Sequence, residues 1–234
     1  MRNNRAAVGL AALLTMAVPA AVAGQDPMSG HQMAMDGAMG DDSMASSQHM
    51  RMTPRWPEVP GDRARADSLV AVASAALAKY QDVTVAEQDG YRMFAPKVKR
   101  QRVYHYTRTV NAIKARWALD AAAPTSLLYH PEHDGSLRLV GAMYTAPPNL
   151  SLDQLNQRLP LSIAQWHQHI NLCMPPGSGR LDAGDDARLS TRDPRFGFRG
   201  TIATEAECQA AGGEFHERVF GWMVHVKMFD ESSE

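Results

Sequence analysis

The chain has 234 residues, with 24 basic against 25 acidic side chains, a net charge of −1, and 44% hydrophobic residues. That balance carries no phosphate-backbone footprint, so nucleic-acid binding is not expected. The length suits one domain with a substantial core, and two cysteines are too few for a disulfide-built miniature scaffold.

Met1-Arg2-Asn3-Asn4-Arg5 is a short basic segment, Ala6 to Ala23 is apolar and alanine-rich, and Ala21-Val22-Ala23 fits the small-x-small cleavage rule. Residues 1–23 therefore read as a signal peptide, and the mature protein as periplasmic or secreted. No cysteine follows to carry a lipid anchor, and no later segment is long and apolar enough to span a bilayer. Loss of Arg2 and Arg5 leaves 22 basic against 25 acidic residues, a net charge of −3.

Residues 24–55 hold Met28, Met33, Met35, Met39, Met44, Met50 and Met52, with His31 and His49, and no aromatic or β-branched residue before Thr53. So little apolar surface cannot offset the entropy of ordering, and the stretch is expected to be a disordered Met/His-rich tail. Thioethers are soft ligands that suit Cu(I), so the tail is either a weak copper collector or a spacer.

Residues 56–234 are expected to form a single α+β domain, N-terminal helices followed by an antiparallel sheet with helical insertions. Asp62 to Lys79 carries an apolar stripe through Ala66, Leu69, Val70, Ala73, Ala76 and Leu77, which predicts a helix. A shorter one follows at Thr84 to Gln88, closed by Asp89-Gly90. Val103 to Tyr106 reads as extended. Thr125 to His130 and Ser136 to Tyr144 flank the turn Pro131-Glu132-His133-Asp134-Gly135 as a hairpin. Ser151 caps a helix to Leu159. Pro175 to Gly200 reads as a long surface excursion, Thr204 opens a capping-box helix ending at Gly212-Gly213, and Glu214 to Phe229 is the last strand.

The informative motifs are Trp166-His167-Gln168-His169-Ile170-Asn171-Leu172-Cys173 and Phe220-Gly221-Trp222-Met223-Val224-His225-Val226. Strand alternation turns His167, His169, Asn171 and Cys173 to one face and Trp166, Ile170 and Leu172 to the other. In the second motif Phe220, Trp222, Val224, Val226 and Met228 share an apolar face opposite His225. If both strands lie in one sheet, three imidazoles converge, and neutral imidazole is a common ligand for zinc, copper and iron. His105, between Tyr104 and Tyr106, is the candidate fourth ligand. Tyr144 could bring a phenol to the same patch or be an ordinary core residue. A solvated sheet face would show the same alternation, and Gln168, on the apolar side, allows for a bulge that separates the histidines.

Cys173 and Cys208 are expected to be bonded in an oxidising compartment, closing a loop that stabilises the fold by about 3–4 kcal/mol on the chain-entropy estimate. The competing role for Cys173 is a thiolate ligand beside the histidines. No phosphate loop, dinucleotide fingerprint, nucleophile elbow or zincin pattern occurs. The expected function is an exported copper- or zinc-binding protein with a metal site of His167, His169, His225 and His105. The alternatives are a three-histidine metalloenzyme, for which no partner acid stands out and Glu214 and Glu217 are only possibilities, and a metal-free module binding a small ligand through Gln165, His167, His169 and Asn171. Catalytic residues and protein partners are not assigned.

The His105-Tyr106 pair, the Leu127-Leu128-Tyr129 and Leu139-Val140-Gly141-Ala142-Met143-Tyr144 hairpin, Trp166-His167-Gln168-His169 and the closing Trp222-Met223-Val224-His225-Val226 together resemble exported bacterial proteins of unassigned function. The resemblance runs from Tyr80 to Phe229. It implies a single exported domain in which these motifs belong together, and it implies no activity.

Overall fold

A computed structural model of the protein describes residues 48–96, 101–176 and 193–229. All of them lie in one compact unit, Met33–Glu234. The expected signal peptide, residues 24–47 of the tail and residues 177–192 of the excursion lie outside the described residues.

The fold is α+β, as expected. Its strands are β1 (Met50–Met52), β2 (Arg92–Met93), β3 (Tyr104–Thr107), β4 (Ser126–Pro131), β5 (Leu137–Ala146), β6 (His167–Met174) and β7 (Glu214–Lys227). They form one antiparallel sheet in the order β1-β6-β7-β5-β4-β3-β2. The helices are α1 (Asp62–Leu77), α2 (Val83–Gln88), α3 (Thr109–Lys114), α4 (Leu152–Arg158) and α5 (Glu205–Ala210).

Helix α1 buries Ala66, Ala73 and Leu77 in the core that it shares with the sheet. A 3-10 turn, Ala78–Gln81, carries Tyr80 into the same core, where the Tyr129 hydroxyl donates to the Tyr80 carbonyl at 2.7 Å. Ser151 forms a complete capping box with Gln154, which fixes the start of α4. Gly135, at φ 86°, makes the turn between β4 and β5. The main core joins Leu127, Tyr129, Leu139, Ala142, Tyr144, Trp166, Trp222, Val224 and Val226 from one sheet face to the helices.

The disulfide is present: Cys173 and Cys208 are bonded, with Cα atoms 5.5 Å apart. It ties α5 to β6 over a small cluster with Phe196 and Ile202. That removes Cys173 from any ligand set. Among the described residues, no helix is long and apolar enough to cross a membrane.

Two local expectations need correction. The chain enters the sheet before Trp56: β1 pairs with β6, and Thr53 is buried, accepting the Trp166 N–H on its hydroxyl at 3.0 Å. The stretch up to residue 55 is thus not wholly a disordered tail, because β6 offers a free edge that main-chain pairing satisfies whatever the side chains. Phe220 does not share the Trp222 face. It sits at φ 64° in a bulge of β7, and 42% of it is exposed. Gly221 accommodates the bulge: a Cβ there would strike the Ala146 carbonyl oxygen, so only glycine fits where β7 passes the end of β5. Helix α3 and strand β2 carried too little periodicity to be read in advance.

Candidate functional site

The second sheet face carries the histidines. Leu128, Val140, Met143 and Met223 form a small apolar cluster there, separate from the main core. Cross-strand register sets His105 opposite Leu128, His225 opposite Met143, and His167 opposite Met223. Directly opposed residues share a face. All four expected histidines therefore lie on one side, from β3, β6 and β7.

They also meet. The Nε2 atoms of His105 and His225 are 3.5 Å apart. The His225 ring lies 5.1 Å from the His167 ring, and His167 lies 5.8 Å from His169, centroid to centroid. The contacts run as a chain, His105–His225–His167–His169. Three strand spacings separate β3 from β7, about 14 Å on a flat sheet, which two upright imidazoles cannot bridge. The sheet must curl toward this face. Two irregularities supply the bend: the register shift between Leu128 and Tyr129 on β4, which leaves Val140 of β5 unpaired in the ladder, and the β7 bulge opposite Gln168. Gly141 lets β7 come close, since a Cβ there would collide with the Val226 carbonyl oxygen.

Gln168 sits in the irregularity between the two motif histidines and still points away from them. It is fully buried, accepts from the Arg51 guanidinium, and donates to the Pro148 carbonyl at 3.3 Å. Arg51 in turn lies over the Trp222 ring, 5.0 Å from its centroid. The bulge bends the sheet without splitting the histidine pair, because its extra residues are in β7.

Burial sets the electrostatics. It pushes the His105 and His169 imidazoles down to about 4 and His167 to about 3, and it holds His225 well below the ordinary histidine value. Mutual repulsion of the rings adds to the effect for His167, His169 and His225. Small opposing contributions come from the backbone of Val103 on His105 and of His49 on His169. Among the described residues, no carboxylate contributes to these shifts. All four are neutral bases at physiological pH, and a neutral imidazole carries a nitrogen lone pair that can ligate a metal ion. His169 Nδ1 is buried with no hydrogen-bond partner among the described residues.

Among the described residues, no three His, Cys, Asp or Glu donors already stand within common reach of one ion. The 3.5 Å contact between His105 and His225 has the spacing that two ligands of one ion need, since metal–nitrogen bonds are about 2.0–2.1 Å. The His167 and His169 rings would have to turn about their side-chain bonds to join.

Phenylalanines edge the site. Phe94, whose N–H donates to the His105 carbonyl, meets Phe220 ring to edge at 6.1 Å, and Phe198 stands edge-on to His169 at 4.9 Å. These rings were not foreseen. Phe220 was assigned to the other face, and Phe198 sits in a segment without periodicity. Methionine neighbours were missed as well, although Met223, two residues before His225, has the parity to reveal one of them.

Other candidates lie elsewhere. The Tyr144 hydroxyl donates to the Ala121 carbonyl at 2.7 Å on the core face, away from the imidazoles. Gln165 and Asn171 donate their amides to the Thr53 and Gln48 carbonyls, which fasten the N-terminal segment. Glu214 opens β7 opposite Met174, far from His225, and Glu217 is exposed. No protein-family model, curated protein or solved structure matches the chain, so the chemistry rests on these residues alone.

Proposed function

We propose that this is an exported metal-binding protein whose site is built from His105, His167, His169 and His225, with copper or zinc as the ion. The observation that carries the reading is the meeting of four neutral imidazoles on the concave face of one sheet. Four unprotonated bases are pressed together, and among the described residues only the His105 and His225 rings stand within hydrogen-bonding distance of one another. A cation shared among them repays the desolvation and uses the lone pairs. The unpartnered Nδ1 of His169 supports the same view. Export is supported by the basic-then-apolar N-terminal sequence and by the Cys173–Cys208 disulfide, which suits an oxidising compartment. Among the described residues no carboxylate acts on the rings, which favours holding an ion over catalysis by a paired acid and base.

Zinc titration of the chelator-treated full chain tests this, because thioethers of the N-terminal stretch compete poorly for zinc. One equivalent should bind, and His225→Gln should weaken it on the order of a hundredfold, about 2.7 kcal/mol. His105→Gln, at the end of the chain of rings, is the second variant in case the first misfolds. Absence of any stoichiometric zinc or copper, or affinity untouched in both variants, would remove the proposal.

A further inference from the structure

The geometry points to a more specific ion: we infer that the site is selective for Cu(I) and that methionine sulfur joins the imidazoles in holding it. The inference rests on the four-histidine reading and deepens it. Seven methionines fall within the described residues, and four are direct register partners of a site histidine. Met50 opposes His169, and Met52 opposes His167 from β1. Met223 opposes His167 from β7, and Met143 opposes His225 from β5. Opposed partners share a face with Cβ atoms about 4.5–5.5 Å apart, within reach of a flexible thioether. Met143 and Met223 are buried, and Met50 and Met52 are half-buried. His167 is thus flanked on both sides by sulfur.

The charge balance agrees with this chemistry. Imidazole and thioether are both neutral, and among the described residues no carboxylate acts on the rings. Desolvating a divalent ion in such a site leaves two uncompensated charges, whereas a cuprous ion leaves one. Thioether sulfur is a soft donor that prefers Cu(I) to zinc. Methionine also serves as a filler of irregular cores, and in that role leucine would do as well. The two roles separate on substitution.

The experiment uses the full chain and two double variants, Met143→Leu with Met223→Leu, and Met50→Leu with Met52→Leu. Such swaps conserve volume and are tolerated at under about 1.5 kcal/mol, and the pairs lie on different strands, so a folding failure in one leaves the other readable. Cu(I) affinity is measured against bicinchoninate as competitor, and Zn(II) affinity in parallel. The N-terminal methionines before residue 48 are the same in every protein compared. The expected result is a loss of Cu(I) affinity of about tenfold or more, about 1.4 kcal/mol, in at least one double variant with zinc affinity unchanged, together with weaker sulfur scattering at the copper absorption edge. Zinc and Cu(I) affinities that stay level or fall together in both double variants would overturn the role of methionine and leave the histidine site standing. A wild-type chain that binds neither ion would overturn both.

Discussion

Leu127 and Leu128 are neighbours in β4, both without solvent exposure, and they belong to different worlds. Leu127 joins the large core beneath α1, where the buried phenols of Tyr91, Tyr129 and Tyr144 each donate to a backbone carbonyl. Leu128 faces the other way, into a cluster of four buried residues ringed by imidazoles that have chiefly one another for company. One face lowers free energy by burial, with its phenols paired although the Trp166 and Trp222 indole N–H groups have no partner among the described residues. The other buries bases whose charged forms are penalised and whose lone pairs are left over. The comparison teaches where function is held: on the face that stability alone would have filled with leucine and valine.

Acid should expose this difference most strongly in the metal-free protein. The four rings are neutral in the fold, while in the unfolded chain they titrate near 6.5. Above that value neither state gains protons, and stability is independent of these groups. As pH falls below it, the unfolded chain takes up protons that the fold refuses, so stability declines until about 4 for His105 and His169 and about 3 for His167. Each ring contributes a slope of up to about 1.4 kcal/mol per pH unit. The carboxylates of Asp62, Asp82 and Asp89, held below 3.8 by their hydrogen-bond donors, keep most of their contribution down to about pH 4 and lose it as pH falls further. Urea unfolding between about pH 7 and pH 4.5 should therefore show a fall on the order of several kcal/mol, made shallower by His167→Gln. A flat profile would mean that the rings are solvated and that the two faces do not differ as described.

The two leucines give a smaller and sharper contrast. Leu127→Ala opens a hole in a core packed from several elements, and about 4–5 kcal/mol should be lost. Leu128→Ala thins a small cluster on a curled face that can relax around it, and about 2–3 kcal/mol is expected. Equal losses in denaturant titrations would erase the distinction between a large core and a satellite.

Much of this fold was legible because burial imprints periodicity. The α1 stripe, the hairpin around Gly135, the Ser151 capping box and the alternation around Trp222 each follow from one local rule, and the histidines of β6 and β7 inherit their face from the Trp residues beside them. His105 was harder: a single imidazole between two tyrosines has no pattern of its own, and only the curl of the sheet brings β3 over to β7. That curl comes from bulges at Val140 and Phe220, which no alternation rule foretells and which also turned Phe220 to the unexpected side. Strand β1 was hidden for a different reason. Its Met-Arg-Met sequence resembles the methionine-rich stretch before it, and what makes it a strand is the open edge of β6.

That hidden strand gives the last test, since β1 touches both faces at once. Met50 and Met52 lie beside the histidines, while Arg51 donates to Gln168 and covers Trp222 on the core side. Just before it, the buried His49 ring contacts the Gly200 and Asn171 carbonyls at 2.7 and 2.9 Å, and the Gln48 amide donates to the Thr201 carbonyl at 3.0 Å. A chain starting at Gln48 keeps every one of these contacts and should melt like the longer protein. A chain starting at Thr53 loses them, leaves the Gln168 carbonyl oxygen buried without its donor, and bares the β6 edge. Hydrogen bonds are worth about 1 kcal/mol each and ordering a residue costs about 1–2 kcal/mol, so the net loss should be modest, about 1–3 kcal/mol, with a new tendency to self-associate along the exposed strand. Matching thermal midpoints for the two truncations would show that β1 is an ornament of the sheet rather than the strand that joins its two faces.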